Sequence, residues 1–290
     1  MGMRTQLRTL CIRTSGLARL DELALFLRSR GKPYGLVVGV HETPPSKVEQ
    51  FRKQLQWAAQ HFSIVDLDRF VKLWDGDSTG NGKPPLLFTF DDGRESNHAI
   101  AGPMLEEFGA RGVFFVVPEF AESPQGTALE YYRARVNPNS KPGDEVWEDW
   151  KPMNTTQIAD LAARGHAIGN HTLSHARLTG LSDEELENEI GGGARKISSW
   201  TGKPVDAFAW TFAWDAVDRR SWEVIRRHHR YCFAPCPGAV YRHDMPLLIW
   251  RREIEVYYSQ EEFRFQYSGL ADPAWAGRRR RLRERLGISA

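Results

Sequence analysis

Short apolar runs alternate with amphipathic stretches over most of this chain. Residues 20–30 read as a helix with Leu23, Phe26 and Leu27 on one face, stopped by Gly31 and Pro33. Gly35-Leu-Val-Val-Gly-Val-His41 follows as a buried strand, broken by Pro44 and Pro45, and residues 48–61 form an amphipathic helix with Phe51, Leu55, Ala58 and Ala59 inward. A short strand over 62–67, a short helix over 67–74 and a Gly-rich loop at 76–82 lead to the run Leu-Leu-Phe-Thr-Phe at 86–90. After it come a helix over 96–108 and a strand over 112–117.

Residues 118–152 interrupt this rhythm. Pro118, Pro124, Pro138, Pro142 and Pro152 among mixed polar and aromatic residues describe an insertion too long for an idle connector. It follows a strand end, where α/β barrels build their sites, so Trp147 and Trp150 are candidates to line a cleft; anchoring the loop on the core explains them equally well. The alternation then resumes, with a helix at 155–164, a strand at 166–170 and a helix at 183–200 that opens on the capping box Ser182/Glu185. A strand at 205–210, a helix at 219–229 and strands at 231–234 and 247–250 complete it. Repeated strand-helix units imply an α/β fold with a parallel sheet that is closed or nearly closed.

Two stretches carry chemistry. The strand at 86–90 runs directly into Asp91, Asp92 and Gly93. Side chains alternate along a strand, so the two carboxylates leave its end in different directions and can hold different tasks. Read alone, Asp-Asp-Gly fits a helix cap better than a site. The second stretch, Gly165-His-Ala-Ile-Gly-Asn-His-Thr-Leu-Ser-His175, reverses that balance. His171 and His175 are four apart after an apolar run, and a helical turn there would aim both imidazoles the same way. Two histidines and one carboxylate, with positions left for water or substrate, form a common catalytic metal set. No Glu follows His171, which excludes the His-Glu-x-x-His helix of zinc peptidases.

With these residues in this order, the sequence resembles the polysaccharide deacetylase (NodB homology) family. Thr89-Phe90-Asp91-Asp92-Gly93 is similar to its first motif and His171-Thr172-Leu173-Ser174-His175 to its second. Residues 51–57 and 62–68 resemble the lead-in of a subgroup whose first strand ends in a histidine, here His41, and 109–116 and 161–169 resemble the segments flanking the motifs. The likeness covers roughly residues 34–270. It implies a distorted (β/α) barrel of about seven parallel strands, preceded by a helical lead-in at 1–33 and followed by a basic tail at 271–290.

The resemblance also implies roles. Asp92, His171 and His175 would bind a divalent metal, zinc being the ion best suited to such a set, and Asp91 would act as general base. The substrate would be an N-acetylated amino sugar of a surface polysaccharide or its precursor. Two features depart from the family pattern. The subgroup's third motif, Phe-Ala-Tyr-Pro-Phe-Gly, here reads Phe208-Ala-Trp210-Thr211-Phe-Ala213, which makes Trp210 and Thr211 candidate substrate contacts. The late Leu-x-x-His motif that supplies the general acid is absent, and His243 is the nearest late histidine. Arg251 and Arg252 resemble an arginine after the last strand, so that one would pair with Asp91, and Arg251 is a further candidate substrate contact. Two other readings stand beside this one: a retired enzyme serving as a sugar-binding or assembly partner, and a hydrolase of a non-sugar amide.

Composition narrows the picture little. At 290 residues, with 41% hydrophobic and 26% charged content, the chain is neither disordered nor collagen-like. A net charge of +2 gives no reason to expect a nucleic-acid partner. The arginines at 278–281, 283 and 285 form a basic tail helix suited to a solvated face or to peripheral contact with an anionic membrane. Arg4, Arg8, Arg13 and Arg19 interrupt the first 20 residues, leaving no apolar core of the ~7–15 residues of a signal peptide. Three cysteines, an odd number, agree with a reducing compartment, and a cytoplasmic location is the expectation.

Overall fold

The computed structural model describes residues 19–72, 82–124, 126–138, 149–241 and 247–288. Its strands are β1 (Tyr34–Val40), β2 (Ser63–Ile64), β3 (Pro85–Phe90), β4 (Val113–Val116), β5 (Ala167–Asn170), β6 (Ala207–Ala209), β7 (Tyr231–Ala234), β8 (Val240–Tyr241), β9 (Leu248–Trp250) and β10 (Arg252–Glu253). They pair in the order β10-β1-β3-β4-β5-β6-β7-β9, parallel at every step. Only Arg251 separates β9 from β10, so the two ends of that path are halves of one strand. Its first half pairs with β7 and its second with β1, which closes a ring of seven parallel strands, as the sequence leads one to expect. Two short pairings depart from the ring: β2 lies parallel to β3, and β8 runs antiparallel to β1.

The period of two along each strand divides the core. Val37, Leu87, Val113, Phe115, Ala207, Ala209, Phe233 and Ile249 fill the lumen, and Leu67 and Phe70 of helix Leu67–Lys72 join them. The alternate residues Leu36, Val38, Val40, Leu86, Phe88, Phe90 and Phe114 face outward onto Phe51, Leu55 and Ala58 of helix Val48–His61 and onto Ile158 and Leu161 of helix Thr155–Ala163. Asn154 and Gln157 form a capping box at the start of the latter helix, and Ser182 and Glu185 form the expected one at Asp183–Glu187.

At the two flanks the structure adds what the pattern alone leaves open. In helix Leu20–Ser29 the inward residues are Asp21 and Leu25, while Leu23, Phe26 and Leu27 are 51%, 50% and 60% exposed. Ion pairs set its orientation: Arg264 reaches Asp21 and Glu22, and Arg28 reaches Asp272 at 2.8 Å. The basic run lies in helix Asp272–Leu286. Leu282 and Leu286 are buried with Trp222, Ile225 and Trp250. Arg279 and Arg285 donate to the backbone carbonyls of Pro237 and Asp215, leaving Arg280 and Arg281 facing solvent. No helix among the described residues is long and apolar enough to cross a membrane.

Close packing in the lumen yields a test. Phe115 occupies the space beside Gly169 of β5, where a Cβ would fall 2.3 Å from the ring. Gly169→Ala should therefore lower stability by about 1–3 kcal/mol, the usual cost of overpacking, and an unchanged thermal midpoint would refute this account.

Candidate metal centre

Because the seven strands are parallel, their C-terminal ends share one rim. His41 follows β1, Asp91 and Asp92 follow β3, His171 follows β5, Trp210 and Thr211 follow β6, and Arg251 follows β9. Asp91 N donates to Val40 O at 3.0 Å and carries the ladder one residue past β3. The chain then turns through two left-handed residues, Asp92 at φ 68° and Gly93 at φ 71°. Asp tolerates that region better than most residues, and Gly93 suits it because a Cβ there would both be strained and press on Val116 at 3.1–3.2 Å.

The His171–His175 segment is not the helical turn expected. Thr172 and His175 take φ of 63° and 61°, and no helix spans them. Backbone carbonyls orient the imidazoles instead. His171 Nδ1 donates to Ala209 O at 2.8 Å, and His175 Nδ1 donates to Arg135 O at 2.8 Å. A carbonyl can only accept, so both rings carry a proton on Nδ1 and turn Nε2 toward the site. The second acceptor belongs to the 118–152 insertion, whose Tyr131 hydroxyl also donates to Ser174 O at 3.0 Å.

Both Nε2 atoms face Asp92 Oδ1, at 3.7 Å from His171 and 3.5 Å from His175. Ligand atoms around a tetrahedral zinc lie about 3.3–3.6 Å apart, given bonds of about 2.0–2.2 Å. The ligand atoms of the three buried side chains all lie within 4.8 Å of one another, so the set fits a divalent metal in both spacing and donor type. Their electrostatics agree. Burial pushes the His171 pKa down to about 4, so its ring is neutral and ready to ligate at ordinary pH. Burial pushes the Asp92 carboxyl up, but the neighbouring His175 and Arg94 more than reverse that and hold it well below the usual range.

Asp91 turns the other way, along the lumen face defined by Leu87 and Thr89. Arg251, 1% exposed, continues the inward row of Ile249 and meets Asp91 with two hydrogen bonds, Nη1 to Oδ1 at 2.6 Å and Nη2 to Oδ2 at 2.5 Å. Burial raises the Asp91 carboxyl and Arg251 outweighs it, so the group stays ionised. Arg252 points outward to Asp272 at 2.8 Å. Opposite Arg251 stands His41, with Nε2 3.8 Å from Asp91 Oδ2 and Nδ1 2.6 Å from Glu255 Oε1. Burial would lower the His41 pKa, but Glu255 raises it to about 10, so the ring is cationic at neutral pH. Its side chain is still 30% exposed, on the open side of the rim.

The remaining candidates divide. Trp210 is 1% exposed and packed within a hydrophobic cluster with Leu178, Phe208 and Trp222, so it offers no surface to a ligand and is corrected to a core residue. Thr211 is buried, and its hydroxyl donates to Ala176 O at 2.6 Å, tying the loop after β6 to the loop after His175. Trp150 packs beside Val117, Phe120, Tyr132 and Val136, which is the anchoring role. Trp147 and His243 lie outside the described residues. Sequence reasoning did not select Glu255, Arg94 or Phe212 for the site, nor give His41 a role in it. Phe212 is 37% exposed at φ 58°, with its ring 4.8 Å from that of His175. For His41 the signals available were its position, ending β1 as Asp91 ends β3, and the resemblance to a subgroup whose first strand ends in a histidine.

At the C-terminal rim of this parallel barrel one carboxylate and two imidazoles thus converge in a set suited to a divalent metal. The sequence model of the polysaccharide deacetylase family matches residues 78–230, a little over half of the chain, and the protein belongs to that family. The peptidoglycan-N-acetylglucosamine deacetylase of Bacillus cereus is 25% identical over 126 residues, 43% of this chain and 45% of that protein. The chain's match thus spans less than half the length of this curated relative. Among solved structures, IcaB from Ammonifex degensii aligns with a TM-score of 0.62 at 18% identity, over 83% of this chain and 98% of that one. The Streptococcus pyogenes deacetylase PplD, solved with acetate, aligns at 0.61 and 14% identity, over 81% and 98%. A polysaccharide deacetylase of Bacillus cereus aligns at 0.59 and 18% identity, over 82% and 69%. At these identities the structural matches establish the fold.

Removing one ligand tests the centre. His171→Ala should abolish stoichiometric metal binding while leaving the far-UV spectrum intact, because the barrel core lies below the rim. Full metal occupancy in that variant would overturn the ligand assignment.

Proposed function

We propose that this protein is a zinc-dependent de-N-acetylase acting on an amino sugar of a surface polysaccharide or its precursor. The observation that carries the reading is the division of labour between adjacent carboxylates: Asp92 faces two tautomerically fixed imidazoles, while Asp91 is held ionised one residue away by Arg251. Names borne by relatives, a peptidoglycan-N-acetylglucosamine deacetylase among them, support the substrate class.

Asp92, His171 and His175 would hold the ion, which when bound supplies Lewis acidity to polarise an acetamide carbonyl and acidify a water. Asp91 accepts the proton of the attacking water. Arg251 bonds both of its oxygens and so keeps the carboxylate ionised and fixed in orientation. His41 takes the part of general acid, giving its proton to the departing amine nitrogen; Glu255 holds the ring in place through Nδ1 and keeps it charged. Phe212, beside His175, offers an exposed aromatic face for the substrate.

Acetate release from N-acetylated amino sugars, offered as nucleotide-linked, oligomeric and polymeric forms after chelation and metal return, tests the reading. Asp91→Asn should keep the metal but cut turnover by ~10²–10⁴-fold, as for a lost general base. Asp92→Asn should instead weaken metal affinity and be rescued in part by excess metal. No acetate from any substrate in the wild type would sink the proposal, and equal metal loss in both variants would show the carboxylates acting as one chelating unit.

A second test uses pH. His41 must be protonated to act, so activity falls as pH rises through its pKa. The alkaline limb of kcat/KM in the wild type is expected at or below about pH 10, and in Glu255→Gln it should move to lower pH because the carboxylate that raises the pKa is gone. An unmoved limb would remove His41 from the role of acid.

A further inference from the structure

Arg94 takes no part in the chemistry just described, yet its side chain is only 3% exposed and meets the site on its hidden side. Nε and Nη2 both donate to Asp92 Oδ2, at 3.3 and 3.0 Å. Nη1 donates to Asp149 O at 2.9 Å and lies 3.3 Å from Glu42 Oε1, and the guanidinium carbon is 5.2 Å from the centre of the Tyr132 ring. The two oxygens of Asp92 are thereby assigned to different partners, Oδ2 to the arginine and Oδ1 to the space between His171 and His175.

That division has a consequence for coordination. An unrestrained carboxylate rotates and can offer a cation one oxygen or both. Two N–H groups on a single oxygen fix the carboxylate plane and leave the other oxygen as the free donor. We propose that Arg94 is a positioning residue for the metal centre, restricting Asp92 to coordination through Oδ1 and aiming that oxygen at the two Nε2 atoms. The inference rests on the metal reading above and adds to it a residue that does not itself touch the ion. One-oxygen coordination also keeps open a position that a chelating carboxylate would fill and that a water or substrate oxygen needs.

A purely structural role for Arg94, tying the segment around Asp149 to the end of β3, is already served by the backbone. Glu95 N donates to Lys151 O at 2.7 Å and Met153 N to Gly93 O at 2.8 Å, so the two segments are laced together without the guanidinium.

The test is a titration of Zn²⁺ into the metal-free protein, by calorimetry with chelator competition, for the wild type, Arg94→Lys and Arg94→Met, alongside the thermal midpoint of each metal-free form. Loss of a group that orients a ligand typically weakens metal affinity by ~10–100-fold, which is the expectation for Arg94→Met, with Arg94→Lys in between because it keeps the charge and one donor. If Arg94→Met does not fold, Arg94→Lys decides, and an affinity within about twofold of the wild type would then overturn the inference. Unchanged affinity with a lowered midpoint would reduce Arg94 to a structural tie, and tighter binding would make it a competitor of the metal for Asp92; either result overturns the proposal. A wild type that binds no zinc would take down the metal reading and this inference together, whereas zinc binding lost in His171→Ala but indifferent to Arg94 would remove only the inference.

Discussion

The ion pair between Arg251 and Asp91 is where the fold and the site become one problem. Arg251 stands at the break between β9 and β10, where the last strand leaves β7 and takes up β1. Its backbone N still donates to Ala234 O at 3.2 Å while its side chain runs up the lumen to Asp91. Both charges are almost wholly buried. Such a pair gives little net stability against an apolar replacement, but losing one member strands a charge at a cost of about 3–5 kcal/mol. Closure of the ring and ionisation of the proposed base are therefore coupled through a single side chain.

Around that pair the rim is arranged so that each charged group faces a partner. Asp92 is shared between Arg94 and the imidazole pair, and His41 lies between Asp91 and Glu255. Burial raises the Glu42 and Asp149 carboxyls, while Arg94, which touches Glu42, opposes that rise in both. His171 and His175 differ: each faces a backbone carbonyl on Nδ1 and Asp92 on Nε2. Two imidazole nitrogens beside a fixed carboxylate oxygen form a donor set suited to a divalent cation.

The outer layer is tied down by the neighbour of Arg251. Arg252 points away from the lumen, as the alternation of a strand requires, and its guanidinium meets Asp272 at the start of the last long helix. Arg28 of helix Leu20–Ser29 meets the same carboxylate. One aspartate thus joins the first described helix, the closing strand and the last helix. This clamp helps to set which face of Leu20–Ser29 turns inward, against the pattern of its own apolar residues.

Local pattern was enough to place eight of the ten described strands, though not β8 or the ring-closing β10, and enough to select Asp91, Asp92, His171 and His175, because each motif is compact in sequence. Resemblance to a family then implied the ring. What the sequence could not carry were partnerships across it. Asp91 and Arg251 are 160 residues apart and His41 and Glu255 are 214 apart. The carbonyls that fix the two imidazoles lie 38 and 40 residues away, one at the end of β6 and one in the insertion, and nothing in the sequence pairs them with the histidines. Trp210 sits within the third motif yet is spent on the core, and Leu23, Phe26 and Leu27 form a regular face that is left exposed. Hydrophobic period reports what a segment can bury. Only closure of the barrel decides which burial, and which charge pair, is available to it.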